Sequence, residues 1–402
     1  MAIVIPRRSH ALIAAVLALL LAGCSGVSSP DAGSRLPSGG MGATAGGVQD
    51  MQLARELIAA GRVPPPEAFT VEGMFSEHDL PLAGDPPDRP LTLRGAAGVA
   101  PDLAATPHGW LQVGLASNVD PEAFERPSLS FVACVDVSGS MGWAYGGEGY
   151  EYETAGSVAR GLLAELTARL DGDDRCAIVT YGTDVAVPLP PVAGDDPAVP
   201  DVVAGLNSGG ATNMEAGLQR AFAIAAEEQA AGTEAVRVFL FTDVQPNVGV
   251  TSPGSFRELA GTAAESGVGL TVFGLGVGLG QEVLAAITDL RGGNAFSLFS
   301  TEDAGELVAD SWPWLACPLA HGLDLQLTVP AGLEVANSYG FPGDEPGFSV
   351  ASVFLSRRRG ALLVELRPAG AAFPGGAEVG GVLEYVDLAG EPVREELAWT
   401  LQ

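Results

Sequence analysis

The chain reads as an α/β protein, a doubly wound, mostly parallel sheet, followed by an all-β part of β-sandwich type. Three observations predict this. Between Ser128 and Cys317, short apolar runs alternate with segments of helix length, the pattern of a parallel sheet covered on both faces. From Leu323 onward helical spacing vanishes and alternating runs are divided by turn-rich breaks, as in an antiparallel sandwich. With 402 residues, at roughly 150 per domain, there is room for both.

The N-terminus is an address. Arg7 and Arg8 precede an apolar run, Ala11 to Ala22, shorter than the roughly 20 residues that span a bilayer and shaped like a secretory signal peptide. It ends in Leu21-Ala22-Gly23-Cys24, which resembles the lipobox of bacterial lipoproteins. That resemblance implies a signal peptide over residues 1–23 and a mature chain beginning at Cys24, which carries the lipid. Several acyl chains, at about 0.8 kcal/mol per buried methylene, anchor stably where one would not. The expected location is the cell envelope, lipid-anchored to membrane and outside the cytoplasm. Ser25 rather than Asp after the cysteine implies, in a diderm organism, sorting to the outer membrane, facing the periplasm or the cell surface.

Residues 24–50, rich in Gly, Ser, Ala and Pro, read as a flexible linker. Residues 51–127 hold a helical stretch, Met51 to Ala60, stopped by Gly61-Arg62-Val63-Pro64-Pro65-Pro66, then strands at Leu91–Arg94 and Trp110–Leu115 that are candidates to complete the sandwich.

Residues 128–317 form the α/β unit. Phe131–Val135 is a short run suited to burial on both faces. A helix follows over Glu153–Leu170, with Val158, Leu162, Leu163 and Leu166 on one stripe, ended by Asp171-Gly172-Asp173-Asp174. Cys176–Tyr181 is the second strand, and the prolines around Val185–Leu189 mark an edge. Helix Asn213–Gln229 leads to strand Val236–Phe241, and helix Ser252–Ser266 to strand Leu270–Gly274. Helix Gln281–Leu290, strand Ala295–Phe299 and helix Thr301–Trp314 close the unit. Residues 318–402 supply sandwich strands at Leu323–Val329, Phe348–Leu355, Ala361–Leu366, Gly381–Val386 and Glu395–Leu401.

Charge excludes some functions. The net charge of −29 sets 49 acidic against 20 basic residues, all of them Arg. Nothing here neutralises a run of phosphates, so nucleic acid is not the partner. Without Lys there is no phosphate loop of the Gly-x-x-x-x-Gly-Lys kind, and Gly274–Gly280 is a connector rather than a dinucleotide loop. Ser138 and Ser140 lack the preceding Gly of a nucleophile elbow, and His10, His78, His108 and His321 show no ligand spacing. The chain is therefore expected not to be an enzyme. Cys134 and Cys176 lie in apolar strands and, with Cys317, are expected to be buried thiols, although an oxidising compartment permits a bridge.

Three separated segments carry oxygen ligands. Asp136-Val137-Ser138-Gly139-Ser140 ends the first strand, and the spacing of two sets its three side chains on one side of a tight turn. Gly209-Gly210-Ala211-Thr212-Asn213 precedes the long helix, and Phe241-Thr242-Asp243 ends an apolar strand. The carboxyl ends of parallel strands are where open α/β sheets bind ligands. Two carboxylates and three hydroxyls balance a hard divalent cation such as Mg2+, with Mn2+ or Ca2+ as alternatives.

This set resembles the von Willebrand factor type A domain and its metal-ion-dependent adhesion site, in the form found in secreted bacterial lipoproteins. All five ligand positions match, at Asp136, Ser138, Ser140, Thr212 and Asp243, in order and over roughly 190 residues of strand–helix alternation. Ala54 to Gly73 resembles the N-terminal segment of such bacterial proteins. Val244 stands where that family usually has Gly. The resemblance implies that a protein ligand offering an Asp or Glu completes the metal coordination.

Between the two serines and the first helix lies Gly142 to Thr154, next to the metal rim. Its aromatics, Trp143, Tyr145, Tyr150 and Tyr152, are of the kind enriched at interface cores, and they are candidates for partner binding or for packing the loop onto its own helix. Glu148, Glu151 or Glu153 could instead reach the cation and block it. The function expected is a lipid-anchored, extracytoplasmic, metal-dependent protein-binding module. The alternative is a structural scaffold subunit of an envelope assembly with permanent, metal-independent contacts.

Overall fold

The computed structural model describes residues 42–45, 47–48, 54–55, 58, 61, 63–64, 82, 87–101, 105–120, 123–144, 153–243, 253–276, 290–339, 347–356, 361–370 and 373–402. The strands and helices are β1 (Gly42–Ala45), β2 (Gly47–Val48), β3 (Thr92–Pro101), β4 (Pro107–Ala116), β5 (Leu129–Asp136), α1 (Ala155–Thr167), β6 (Arg175–Tyr181), β7 (Val185–Ala193), α2 (Ala198–Ala204) and α3 (Met214–Ala230). They continue with β8 (Ala235–Thr242), α4 (Pro253–Glu265), β9 (Gly269–Leu275), β10 (Gly293–Leu298) and α5 (Thr301–Leu315). The last six strands are β11 (Pro318–Thr328), β12 (Leu333–Tyr339), β13 (Gly347–Ser356), β14 (Ala361–Pro368), β15 (Glu378–Val386) and β16 (Pro392–Thr400).

Two sheets organise these elements. The first runs β2-β10-β9-β8-β5-β6-β7, parallel throughout except for β7, which returns antiparallel along β6. β5 sits between β8 and β6, and all eight of its residues are buried. Its odd positions, Phe131, Ala133 and Val135, pack against α1 and α5, while Val132 and Cys134 face α3. That two-sided burial is why the sequence shows an unbroken apolar run rather than an alternation. Phe131 stacks on Phe239 of β8 with ring centroids 4.2 Å apart, and each fully buried ring contributes roughly 2–3 kcal/mol.

The second sheet is antiparallel and follows β12-β14-β4-β1-β13-β11-β15-β16, with β3 paired to β4, nine strands among the described residues. It curls around one apolar core as a sandwich, so that Val99 N donates to Gln402 O at 3.0 Å and Trp399 covers Gly95. β3 and β4 thus share a sheet with the C-terminal strands, and the α/β unit lies between them in the chain.

Several elements differ from the sequence expectation. Gly42–Ala45 pairs antiparallel with β13, and Gly47–Val48 pairs parallel with β10, so the stretch that composition assigns to a linker contributes to both sheets. Gly and Ala offer no pattern of alternation, but any backbone can pair with an open strand edge. β12 escapes the pattern because a register shift between Val335 and Asn337 interrupts its period of two. α2 is a short helix inside a proline-rich loop. The Gln281–Leu290 helix, the 51–60 helix for the most part, and Cys24 with its leader lie outside the described residues. No described helix is long and apolar enough to cross a membrane.

Candidate functional site

The site grows from the carboxyl ends of β5 and β8. Asp136 and Thr242 close neighbouring strands, and the register that pairs Val135 with Phe241 sets them side by side. Asp136 is 1% exposed and is held from two directions. Ser138 N donates to its Oδ1 at 2.8 Å, and Thr242 Oγ1 donates to its Oδ2 at 3.2 Å. The chain then turns tightly through Ser140–Gly142, and Ser138 Oγ and Ser140 Oγ come to 3.1 Å from each other. The expected convergence of the two serine side chains is therefore present.

The glycine-rich segment is fastened to this turn by its backbone. Gly209 N donates to Val137 O at 2.6 Å, and Gly139 N to Gly210 O at 3.0 Å. Gly210 adopts φ of +88°, and a Cβ there would stand 2.4 Å from Thr183 Oγ1. Thr212 is buried just beyond, and Asn213 caps α3 through its side chain, accepting from Ala216 N at 3.3 Å. Asp243, 6% exposed, follows Thr242, and its Oδ1 is buried without a hydrogen-bond partner.

A fourth segment fastens the first two together, and sequence reasoning missed it. At the end of β6, Tyr181 O accepts from Val137 N at 2.8 Å, Gly182 O accepts from Asn213 N at 3.1 Å, and Thr183 Oγ1 accepts from Ala211 N at 3.0 Å. Two of these three bonds use carbonyls, which leave no mark in the sequence. The Tyr-Gly-Thr that ends an apolar strand was the available signal.

The electrostatics follow from burial. Removal from water, together with the neighbouring Asp243 charge, outweighs the hydrogen bonds from Ser138 and Thr242 and raises the Asp136 carboxyl to about 6. Burial, and then the Asp136 charge, also pushes the Cys134 thiol well up. Cys134, Cys176 and Cys317 are all buried free thiols. Among the described residues no group of three His, Cys, Asp or Glu side chains gathers, so any cation here relies on hydroxyl oxygens as well as the two carboxylates.

Trp143 stands on the rim, 71% exposed, with its backbone N donating to Ser140 O at 2.9 Å. The following loop leaves and returns at an antiparallel bridge between Ala144 and Thr154, and Thr154 with Ser157 forms the capping box of α1. Tyr145, Tyr150, Tyr152, Glu148, Glu151 and Val244 lie outside the described residues. Glu153 is engaged by α5. Both its oxygens accept from Thr301 N at 3.2 Å, a carboxylate at the positive N-terminus of α5.

Residues 131–245 match the family model of the von Willebrand factor type A domain. The α/β fold is of the von Willebrand factor type A kind. Domains of this type commonly serve protein–protein interaction or adhesion. The chain is also 28% identical over 264 residues to the uncharacterized protein YfbK of Escherichia coli (strain K12), an overlap of 64% of this chain and 44% of that protein. It thus spans less than half the length of that curated relative. Among solved structures, a von Willebrand factor type A protein from Catenulispora acidiphila is 16% identical, with 78% of this chain and 74% of that one covered at a TM-score of 0.45. The ArnB paralog VWA2 from Sulfolobus acidocaldarius is 15% identical, with 78% and 76% covered at a TM-score of 0.40.

Proposed function

We propose that this type A domain binds a protein partner through a divalent cation, best Mg2+, held by Asp136, Ser138, Ser140, Thr212 and Asp243. The observation that carries the reading is the buried pair Asp136 and Asp243, whose Oδ1 lacks any partner, beside two converging serine hydroxyls. An orphaned buried carboxylate oxygen is costly unless a ligand satisfies it, and a +2 ion balances two carboxylates. Oxygen-only donors suit Mg2+, which keeps waters in its remaining positions. A carboxylate of the partner is the group that replaces one of those waters.

The exposed indole of Trp143 is the second contact in this reading, with Tyr145, Tyr150 and Tyr152 on the same loop. The module is lipid-anchored through Cys24 and works in the cell envelope. The net charge of −29 favours a partner that offers its carboxylate from a basic surface.

The test is affinity capture from detergent-solubilised envelope in Mg2+ and in EDTA. A partner that elutes with EDTA is the expected result. A complex that survives EDTA contradicts metal dependence and favours a permanent scaffold subunit.

A further inference from the structure

Tyr181 is the largest fully buried side chain among the described residues, 0% exposed at the end of β6. It occupies a particular place in the sheet. Strand register sets Asp136 opposite Tyr181, while the pairing of Val135 with Phe241 sets Asp136 beside Thr242. Thr242, Asp136 and Tyr181 therefore form a row across β8, β5 and β6. On each strand the residues two positions earlier, Leu240, Cys134 and Val179, face α3, so the period of two turns all three members of the row to that face.

The phenol is made room for. A Cβ on Gly217 of α3 would stand 2.6 Å from Tyr181 Cδ1, so the helix can cross here only with Gly at that position. Pressed between α3 and the sheet, the ring brings its hydroxyl toward Thr242 and into the field of Asp136 and Asp243. Yet Tyr181 Oη is buried without a hydrogen-bond partner of good geometry. Two orphaned oxygens, this phenol and Asp243 Oδ1, thus lie in the neighbourhood of one buried carboxylate.

We propose that Tyr181 is a positioning residue for the cation. In that role the Tyr181 hydroxyl would donate to Thr242 Oγ1 when a cation is held at the site. The Thr242 hydroxyl donates in turn to Asp136 Oδ2, the bond already present at 3.2 Å. Ser138 N holds Oδ1 at 2.8 Å, so both oxygens of the carboxylate are oriented while each keeps a lone pair for the ion. Hydrogen bonds behind the ligands of a metal fix their orientation, and losing one typically weakens metal affinity 10- to 100-fold.

This inference rests on the metal-binding reading, and one experiment separates the two. Mg2+ is titrated calorimetrically into the full chain, Tyr181→Phe, Thr242→Val and the double variant, and each is also melted in EDTA. The expected result is about 10-fold weaker binding for either single variant. The double variant should be no weaker than Thr242→Val, since both act through one relay, and Tyr181→Phe should melt no lower than the parent in EDTA. If the parent binds Mg2+ and Tyr181→Phe binds equally well, the positioning role is overturned. If Tyr181→Phe binds equally but melts lower, the phenol is only packing. If the parent binds no Mg2+, the metal reading falls, and this inference with it.

Discussion

The two ends of the parallel sheet both bury charge and treat it in opposite ways. At the amino ends of the strands, Arg126 forms an ion pair with Asp174, which also accepts from Leu129 N at 2.9 Å and Asp171 N at 3.0 Å. Near it, Arg237, 3% exposed, donates to Thr271 Oγ1 at 3.0 Å and Gly292 O at 2.9 Å, and its guanidinium lies over the Phe354 ring of the sandwich. Gly292 N meanwhile donates to Ser352 Oγ at 2.7 Å, tying the two parts of the chain together. At the carboxyl ends, Asp136 and Asp243 repel each other and Asp243 Oδ1 has nothing to accept from. Satisfied buried charge is structure. Unsatisfied buried charge of one sign is what the proposed function assigns to a cation.

The contrast can be broken from either side. The largest effect belongs to the satisfied end. Arg126→Met strips the main partner from a buried carboxylate and should lower unfolding free energy by about 3–5 kcal/mol in urea, equally with and without Mg2+. The pH dependence sharpens this. Burial works against the Asp174 carboxylate, but hydrogen bonds from Arg126, Leu129 and Asp171 outweigh it and hold its pKa below the ordinary value. A depressed acid contributes stability above its unfolded pKa of about 3.9, and that contribution fades as pH falls through the folded value. The parent should therefore lose more stability below about pH 4 than Arg126→Met does.

At the other end the sign reverses. Asp136→Ala relieves a like-charge pair, so in EDTA the variant should be at least as stable as the parent. It should lose all of the stabilisation by Mg2+, which for the parent is about 2.7 kcal/mol at 100 times the Kd. Gly210→Ala should cost about 1–3 kcal/mol and weaken Mg2+ binding, because its φ of +88° and the 2.4 Å approach to Thr183 Oγ1 leave no place for a methyl group. Trp143→Ala should change stability by less than about 0.5 kcal/mol, since the indole is 71% exposed, yet reduce partner capture from envelope extracts.

The carboxyl-end site was largely legible from sequence because its donors are side chains at fixed spacing. Asp136, Ser138 and Ser140 announce a turn, and Asp243 ends a strand that apolar content alone marks. The amino-end junction was not legible. Arg126 and Asp174 lie 48 positions apart and meet only through strand pairing, and Arg237 sits in an apolar run that masks it. The hub at Tyr181 to Thr183 was hidden for a related reason, since it works largely through carbonyls. β1 and β2 were invisible because their small residues carry no periodicity, and β12 because a register shift breaks its own. Side-chain chemistry is written in the chain, whereas backbone partnership is decided by topology.

On the proposed function, the buried carboxylates of Asp136 and Asp243, the second with an unpartnered Oδ1, hold a divalent cation at the carboxyl ends. The most direct measurement is thermal unfolding of the full chain in EDTA and in rising Mg2+, with Asp136→Ala alongside. A melting temperature that climbs with Mg2+ in the parent and stays flat in the variant is the predicted result. A parent whose melting temperature is the same in Mg2+ and EDTA would contradict it.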